Sequence, residues 1–168
     1  MNRTYKFTFF VILLGLPLLA AAGCVMPLPP VQQEAPEYKK VYLGPVPIEG
    51  TLAYQTFLLS SKSETAKLSF ILDRMKAAPE LKYHFEGIYY GWLEAYTGAS
   101  WLLWHDHKAG EDAHAFILKE ALRFHNPVKP TTILFPDKSQ PLAAEVFINE
   151  LDLLEETIQR KNCPQCHI

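Results

Sequence analysis

The spacing of apolar residues predicts four amphipathic helices along the body of the chain. In the first helix, apolar side chains recur three or four positions apart from Leu68 to Met75, and Pro79 ends the pattern. Ser61 and Glu64 fit a capping box before it, in which the serine accepts a hydrogen bond from a backbone amide and the glutamate reaches back. The same spacing predicts three further helices, which begin near Trp92, Ala113 and Pro141.

Two short segments show the alternation that is typical of a half-buried strand. These are Leu81–Phe85, in which lysine and histidine separate the apolar residues, and Thr132–Phe135, which stands between two prolines. The segments Val41–Leu43 and Thr51–Leu59 are candidates for further strands. The order α, β, α, α, β, α predicts an α+β fold with about four helices and a small sheet of two to four strands.

The first residues of the chain resemble an export signal in their layout. Arg3 and Lys6 precede an apolar run from Phe7 to Ala22. As a helix, this run covers only roughly 24 Å of a hydrocarbon core of roughly 30 Å, so it is short for a permanent membrane span. A positive start, a short apolar run and small residues before Cys24 are typical of secretion. We therefore expect residues 1–23 to be a signal peptide.

The segment Leu19–Cys24 resembles the lipobox of bacterial lipoproteins, whose small residues admit the cleaving peptidase and whose cysteine thiol receives a diacylglycerol. It departs from the usual pattern at Ala21, where that family has leucine. The resemblance implies that Cys24 becomes the acylated first residue of a protein anchored to the membrane by its lipid. It also implies that the protein is sorted to the outer membrane, because Val25 stands where an aspartate would retain the protein at the inner membrane.

Proline content distinguishes a segment that follows the signal peptide from the rest of the chain. Six prolines lie between Cys24 and Pro47, and they favour extended backbone over helix. We expect a proline-rich lipidated tether over 24–50, a single α+β domain over 51–161 and a C-terminal tail over 162–168. A length of 168 residues with 49% hydrophobic content suits one such domain. The net charge of −2 gives no basic surface for nucleic acid.

The body is similar to the small uncharacterised periplasmic YfeK-like proteins over residues 64–156. The similarity rests on Phe85–Gly87, Tyr90, Glu94–Ala95 and Glu111–Ile117, followed by a strand and a closing helix. Polar motifs of that family are replaced at Phe85–Ile88 and at Trp101–Leu102. The resemblance implies a periplasmic location and no particular activity.

The C-terminus carries the pattern Cys-x-x-Cys-His, formed by Cys163, Cys166 and His167. In c-type cytochromes the two thiols bind haem covalently and the histidine ligates the iron, so one hypothesis is a covalent haem c. An alternative is a terminal disulfide, which an oxidising compartment favours. A zinc site is a third alternative and would need two more ligands. The sequence leaves these alternatives open and favours no cofactor.

A histidine cluster, His105 and His107 with His114, raises the question of a metal site. Residues two apart on a helix do not share a face, so His105 and His107 could ligate one ion only if the helix had ended there. We expect a solvated helix end and no metal site.

The aromatic residues offer the clearest candidate for binding. All three tryptophans are close together, and Trp92 follows the predicted core face, whereas Trp101 and Trp104 point away from it. We interpret Trp101 and Trp104 as a candidate exposed patch for an unidentified envelope protein.

No motif of a known catalytic centre accompanies this patch. The chain has no glycine-rich phosphate loop, no nucleophile elbow and no zinc-protease motif. The favoured interpretation is a non-enzymatic, lipid-anchored protein of the bacterial cell envelope that faces the periplasm and binds a partner. The alternatives are a monohaem electron carrier and a thiol–disulfide redox protein.

Overall fold

Five helices and a three-stranded antiparallel sheet form the described part of the chain, residues 39–163, in a computed structural model. The helices are α1 (Leu52–Leu59), α2 (Glu64–Lys76), α3 (Trp92–Asp106), α4 (Ala113–Arg123) and α5 (Ala143–Asn162). The strands are β1 (Lys82–Phe85), β2 (Ile88–Tyr90) and β3 (Thr132–Leu134). The predicted α+β fold is confirmed, with one more helix than the four expected.

The sheet has β1 at its centre, between β2 and β3. Tyr83 of β1 is opposite Tyr90 of β2 and Ile133 of β3. A two-residue turn joins β1 to β2, and both of its residues, Glu86 and Gly87, have positive φ angles of 51° and 90°. Such a turn matches the twist of the two strands. The predicted strand Leu81–Phe85 ends at this turn, as β1 does, whereas β2 is an additional strand that its sequence pattern did not predict.

The segment proposed as a further strand, Thr51–Leu59, is instead the helix α1. Thr51 caps this helix, because its side chain accepts a hydrogen bond from the Tyr54 amide at 3.3 Å. The buried residues Ala53, Tyr54 and Phe57 lie three and four positions apart, which is the helical period. The other suggested strand, Val41–Leu43, has no strand structure.

The predicted capping box before α2 is wrong in its details. The capping residue is Ser63, not Ser61, and its hydroxyl accepts from the Ala66 amide at 3.2 Å. The Glu64 carboxylate makes no hydrogen bond to a backbone amide at the start of its own helix. It accepts instead from the Ala113 amide at 3.0 Å, and so joins the beginnings of α2 and α4.

The folded body begins before residue 51, so the predicted end of the tether at residue 50 is too late. Leu43 and Ile48 are only 2% and 0% exposed and belong to the hydrophobic core. The carbonyl of Val41 accepts from the Asn149 side chain of α5 at 3.2 Å. Residues 39–50 are therefore part of the domain. Residues 24–38 lie outside the described part of the chain.

The core is centred on α2 and α5. For the helix predicted from Pro141, the spacing of Phe147, Leu151, Leu154 and Ile158 indicates an apolar stripe. This stripe is present in α5, because Leu151 and Leu154 are completely buried and the other two residues pack against the core. α5 packs against both α2 and α4, while α3 packs against α2 and the β1–β2 hairpin. None of the five helices within residues 39–163 is both long and apolar enough to span a bilayer.

Candidate functional site

A cavity of about 590 Å³ lies beside α3. Its walls come from α2, α3, α4, the sheet and the start of α5, and its size falls within the range of small-molecule sites in proteins. The apolar lining includes Leu68, Ile71, Leu72, Met75, Phe85, Ala95, Ala99, Leu102, Leu103, Phe116, Ile117, Ala121, Phe124, Ala143, Ala144 and Phe147. This largely apolar cavity, called the α3 cavity below, is our candidate functional site.

The α3 cavity exists because the side of α3 that lines it carries small residues. Ala95, Gly98 and Ala99 lie three and four positions apart and line the cavity. A side chain added at Gly98 would meet nothing within 4 Å at its Cβ position. Leu103 is the only residue of α3 that is fully buried. An apolar helix with so little of its surface packed leaves room between itself and the core.

The C-terminal end of α3 is attached to α4 by polar contacts. The Arg123 Nη1 atom donates to Asp106 Oδ2 at 2.6 Å, and Lys119 Nζ donates to the Asp106 carbonyl at 3.3 Å. Lys119 also pairs with Glu111 at 2.7 Å. Hydrogen bonds from the Lys119 side chain and the Lys108 amide lower the pKa of the Glu111 carboxyl. These contacts hold the two helices that enclose the cavity.

The predicted aromatic patch divides into two environments. Trp101 lines the α3 cavity and is nevertheless 53% exposed, so it lies at the edge of the opening. Its ring stacks on His105, with centroids 4.5 Å apart and planes inclined by 18°. Trp104 is 74% exposed and does not line the cavity. Both side chains reach solvent, and their binding role stays a prediction.

The charged groups of the lining are acidic. Glu94 is exposed, whereas Glu120 is buried, with its carboxylate 3.4 Å from Arg123 Nη1 and 3.7 Å from Lys119 Nζ. Within the described range, no lysine or arginine lines the cavity. His125, Asn126 and Thr131 also line the cavity, so the site is apolar with a few polar groups.

The wall formed by β1 contains a hydroxyl in an unusual position. Tyr83 is 6% exposed, and its buried hydroxyl has no hydrogen-bond partner among residues 39–163. Burial raises the pKa of Tyr83, and the negative charges of Glu150 and Glu80 raise it further. The group therefore stays protonated. The hydroxyl oxygen itself has almost no accessible surface, so it is enclosed in the core and is not presented to the cavity.

The histidines of the predicted cluster have separate surroundings. His107 Nε2 lies 2.9 Å from the Glu111 carbonyl, and the His105 ring stacks on Trp101. His114 Nε2 is 3.1 Å from Asp152 Oδ1 on α5. No group of three histidine, cysteine or acidic side chains within the described range is placed to hold a metal ion.

The C-terminal motif is only partly described. Cys163 caps the end of α5 and is half-buried at a surface pocket that Tyr42 and Arg160 also line. Cys166 and His167 lie outside the described residues, as does Cys24. The haem, disulfide and lipidation hypotheses therefore stay predictions.

The helical period places Ala95 and Ala99 on the core face of the helix predicted from Trp92, and this pattern alone does not indicate a cavity. The available signal was the run of small residues Ala95, Gly98 and Ala99 on one side of a predicted helix. The other walls come from residues far apart in the chain, so their meeting could not be read from local spacing.

Comparison of the chain with models of known protein families gives no match. No curated protein and no solved structure matches it either.

Proposed function

We propose that this is a non-enzymatic, lipid-anchored protein of the bacterial cell envelope that holds an apolar ligand in the α3 cavity. The observation that carries the proposal is the cavity, with its apolar walls and an aromatic ring at its edge. Sites for small molecules are usually concave, mostly apolar and provided with a few polar groups. Glu94, Glu120 and His125 are such groups here.

The proposed location rests on the N-terminal sequence. Residues 1–23 have the pattern of an export signal and Cys24 that of a lipid attachment site. Two or three acyl chains on one residue are enough for stable anchoring. The body would then face the periplasm, held by its lipid to the outer membrane.

Photo-crosslinking in liposomes tests the binding proposal on the full acylated chain. The probe is a long-chain alkyl diazirine without a head group, and mass spectrometry locates the labelled peptides. We expect labels on the α2 and α4 segments that line the cavity, Leu68–Met75 and Phe116–Phe124.

Two variants at one position make this test specific. Gly98→Leu places a side chain in open space, and we expect it to reduce labelling of these segments at least about tenfold. Gly98→Ala is the matched control, because it adds only a methyl group, and it should keep the labelling. Unlabelled wild-type protein, or equal labelling in Gly98→Leu, would contradict the proposal.

A second binding surface is favoured by the exposure of Trp104 and Leu93 on α3, at 74% and 56%. Neither residue lines the cavity. We propose this face as the contact for an envelope protein partner. Trp104→Ala should weaken cross-linking to that partner in cells and leave probe labelling of the cavity unchanged, whereas Trp101→Ala should reduce the labelling.

A further inference from the structure

We infer that one end of the folded body, formed by the β1–β2 turn and the loop Asn126–Pro130, docks on the bilayer that holds the lipid anchor. This inference rests on the proposed function, because it needs a lipid-anchored chain. Four observations carry it, namely the exposed apolar side chains of this end, the ordered loop that presents them, the adjoining α3 cavity and the reach of the chain from Cys24.

Two aliphatic side chains of this end are exposed. Ile88 begins β2 directly after the turn and is 57% exposed, while Val128 in the loop is 84% exposed. Pro127, next to Val128, is exposed as well. An exposed aliphatic side chain gains free energy when it leaves water for the apolar part of a bilayer. This end therefore suits the surface of a membrane.

The turn and the loop are in contact with each other. His84 Nδ1 of β1 lies 3.3 Å from the Pro130 carbonyl oxygen. Lys129 Nζ lies 3.3 Å from the position that a Cβ atom at Gly87 would occupy. Because Lys129 follows Val128 and Gly87 precedes Ile88, the two exposed side chains belong to one end of the body, called the hairpin end below.

The loop is ordered by its own hydrogen bonds. Asn126 Oδ1 accepts from the Val128 and Lys129 amides at 3.0 and 3.1 Å, as in an Asx turn. The prolines on either side, Pro127 and Pro130, restrict the backbone further. Since the loop is already in place, docking costs little conformational entropy.

The hairpin end adjoins the α3 cavity. Ile88 is opposite Phe85 in the sheet, and the Phe85 ring packs edge-on against Phe124 with centroids 5.6 Å apart. Phe85, Phe124 and Pro130 all line the cavity. Docking at this end therefore brings the cavity close to the bilayer, where apolar molecules are concentrated.

The chain between the lipid anchor and the domain is long enough for this contact. Residues 24–38 span at most about 50 Å when fully extended. Lys40 Nζ lies 3.4 Å from Glu156 Oε1, and Glu156 follows the cavity-lining Phe147 on α5 by roughly 14 Å. The bilayer is thus within reach of the hairpin end. Tethering also raises the effective concentration of the membrane surface, so a small apolar contact is enough.

The charges beside the exposed pair are balanced. Glu86 precedes Ile88 by two residues, and Lys129 directly follows Val128. Both charged side chains are exposed. One acidic and one basic group give no net attraction to anionic lipid. The contact should therefore form on an uncharged bilayer and persist at high salt.

Photolabelling of the full acylated chain, read residue by residue, tests the inference. The head-less alkyl diazirine is the probe in phosphatidylcholine liposomes, and fragmentation of the labelled peptides locates each label. We expect Ile88 and Val128 to carry at least about ten times more label than Leu59. Leu59 is the internal control, because it is 91% exposed and lies on α1. Labelling of Ile88 and Val128 should be the same at about 0.1 and about 1 M NaCl.

Matched substitutions make the test specific. Val128→Asp places a charge at the contact, and we expect it to reduce labelling of Ile88 at least about tenfold. Ile88→Asp is the reciprocal variant and should reduce labelling of Val128. Leu59→Asp is the control and should leave both labels unchanged. All three positions are exposed, so each variant should keep the urea unfolding midpoint of the wild type.

Gly98→Leu separates this inference from the proposed function. It should remove labels from the cavity residues Phe116 and Phe124 and keep those on Ile88 and Val128. If the cavity is labelled but Ile88 and Val128 are labelled as weakly as Leu59, only the inference is wrong, and the hairpin end faces water or a protein.

The remaining outcomes are equally distinct. If Val128→Asp and Leu59→Asp leave the same label on Ile88, the inference is wrong. If Ile88 and Val128 are labelled and the cavity is not, the proposed ligand site is wrong and the docking surface stands. If the chain carries no lipid, the proposed anchoring is wrong and the inference falls with it.

Discussion

The Arg74 guanidinium donates from Nε to Glu150 Oε2 at 2.9 Å, and both side chains are almost completely buried between α2 and α5. The second carboxylate oxygen accepts from the Leu43 amide at 2.6 Å, while Arg74 Nη2 donates to the Pro45 carbonyl at 3.2 Å. This buried pair thus connects the two central helices to the segment that precedes α1. Neither residue lines the α3 cavity, and the pair serves the fold.

Removing one member of this pair should be strongly destabilising. Arg74→Met leaves the Glu150 carboxylate buried without its cation, and we expect the free energy of unfolding to fall by about 3–5 kcal/mol. The double variant Arg74→Met with Glu150→Gln has no buried charge and keeps an acceptor for Leu43, so it should be more stable than Arg74→Met alone. Urea denaturation measures both. Additive losses from the two substitutions would contradict this explanation.

We expect the free energy of unfolding to fall in acid, in part because the Glu64 carboxylate becomes protonated. Burial raises the pKa of its carboxyl, but the hydrogen bonds from Lys67 and the Ala113 amide outweigh this, and the pKa is lowered from its ordinary value of 4.5. A lowered folded pKa means that the stabilising contribution is complete above 4.5 and is lost as the pH falls through the folded value. Glu64→Gln should therefore reduce the acid dependence of the free energy of unfolding.

The control for this prediction is Glu145→Gln, at an exposed carboxylate near the start of α5. It should leave the acid dependence close to that of the wild type. If Glu64→Gln and Glu145→Gln give the same pH profile, the contacts of Glu64 with Lys67 and Ala113 do not stabilise the fold in the way described.

The cavity implies that α3 tolerates substitution at Gly98. Alanine is the better helix former, and its added methyl group would meet no neighbouring atom. We expect Gly98→Ala to raise the free energy of unfolding by about 0.5–1 kcal/mol. Thermal or urea unfolding measures this directly. A loss of stability would mean that the space beside Gly98 is filled in solution, and that the cavity is smaller than described.

The helical and strand patterns predicted most of the fold because they depend on local spacing. The stripe of α5 and the end of β1 at Glu86–Gly87 follow from side-chain periodicity and turn chemistry. α1 was missed as a helix because nearly all of its residues are apolar or small, which leaves the helical and extended periods hard to distinguish. Prolines predict a tether over residues 39–50, but they do not show that the apolar residues Leu43 and Ile48 beside them are buried in the core.

The candidate site was harder to predict. Trp101 was identified as an exposed aromatic residue, which the structure supports, but its place at the edge of a cavity depends on α4 and the sheet. The unpaired hydroxyl of Tyr83 also depends on tertiary contacts, since any tyrosine in a strand has the same local pattern. A local pattern can place a residue on a face of an element, and the packing of that element decides what lies opposite.

Export to an oxidising compartment favours a disulfide over haem at the C-terminal motif. We expect the tail peptide that contains Cys163 and Cys166 to be two hydrogens lighter than its reduced form. We also expect no Soret absorbance that resists extraction with acid and acetone. A resistant Soret band, lost in Cys166→Ser, would instead establish the electron-carrier alternative.

Native mass spectrometry of the acylated protein, released gently from the cell envelope, tests most directly whether the α3 cavity holds a ligand. We expect one noncovalent adduct of an apolar ligand on the wild type and on Gly98→Ala, and its loss in Gly98→Leu. A wild-type protein without any adduct, or an adduct that persists unchanged in Gly98→Leu, would contradict the proposed function.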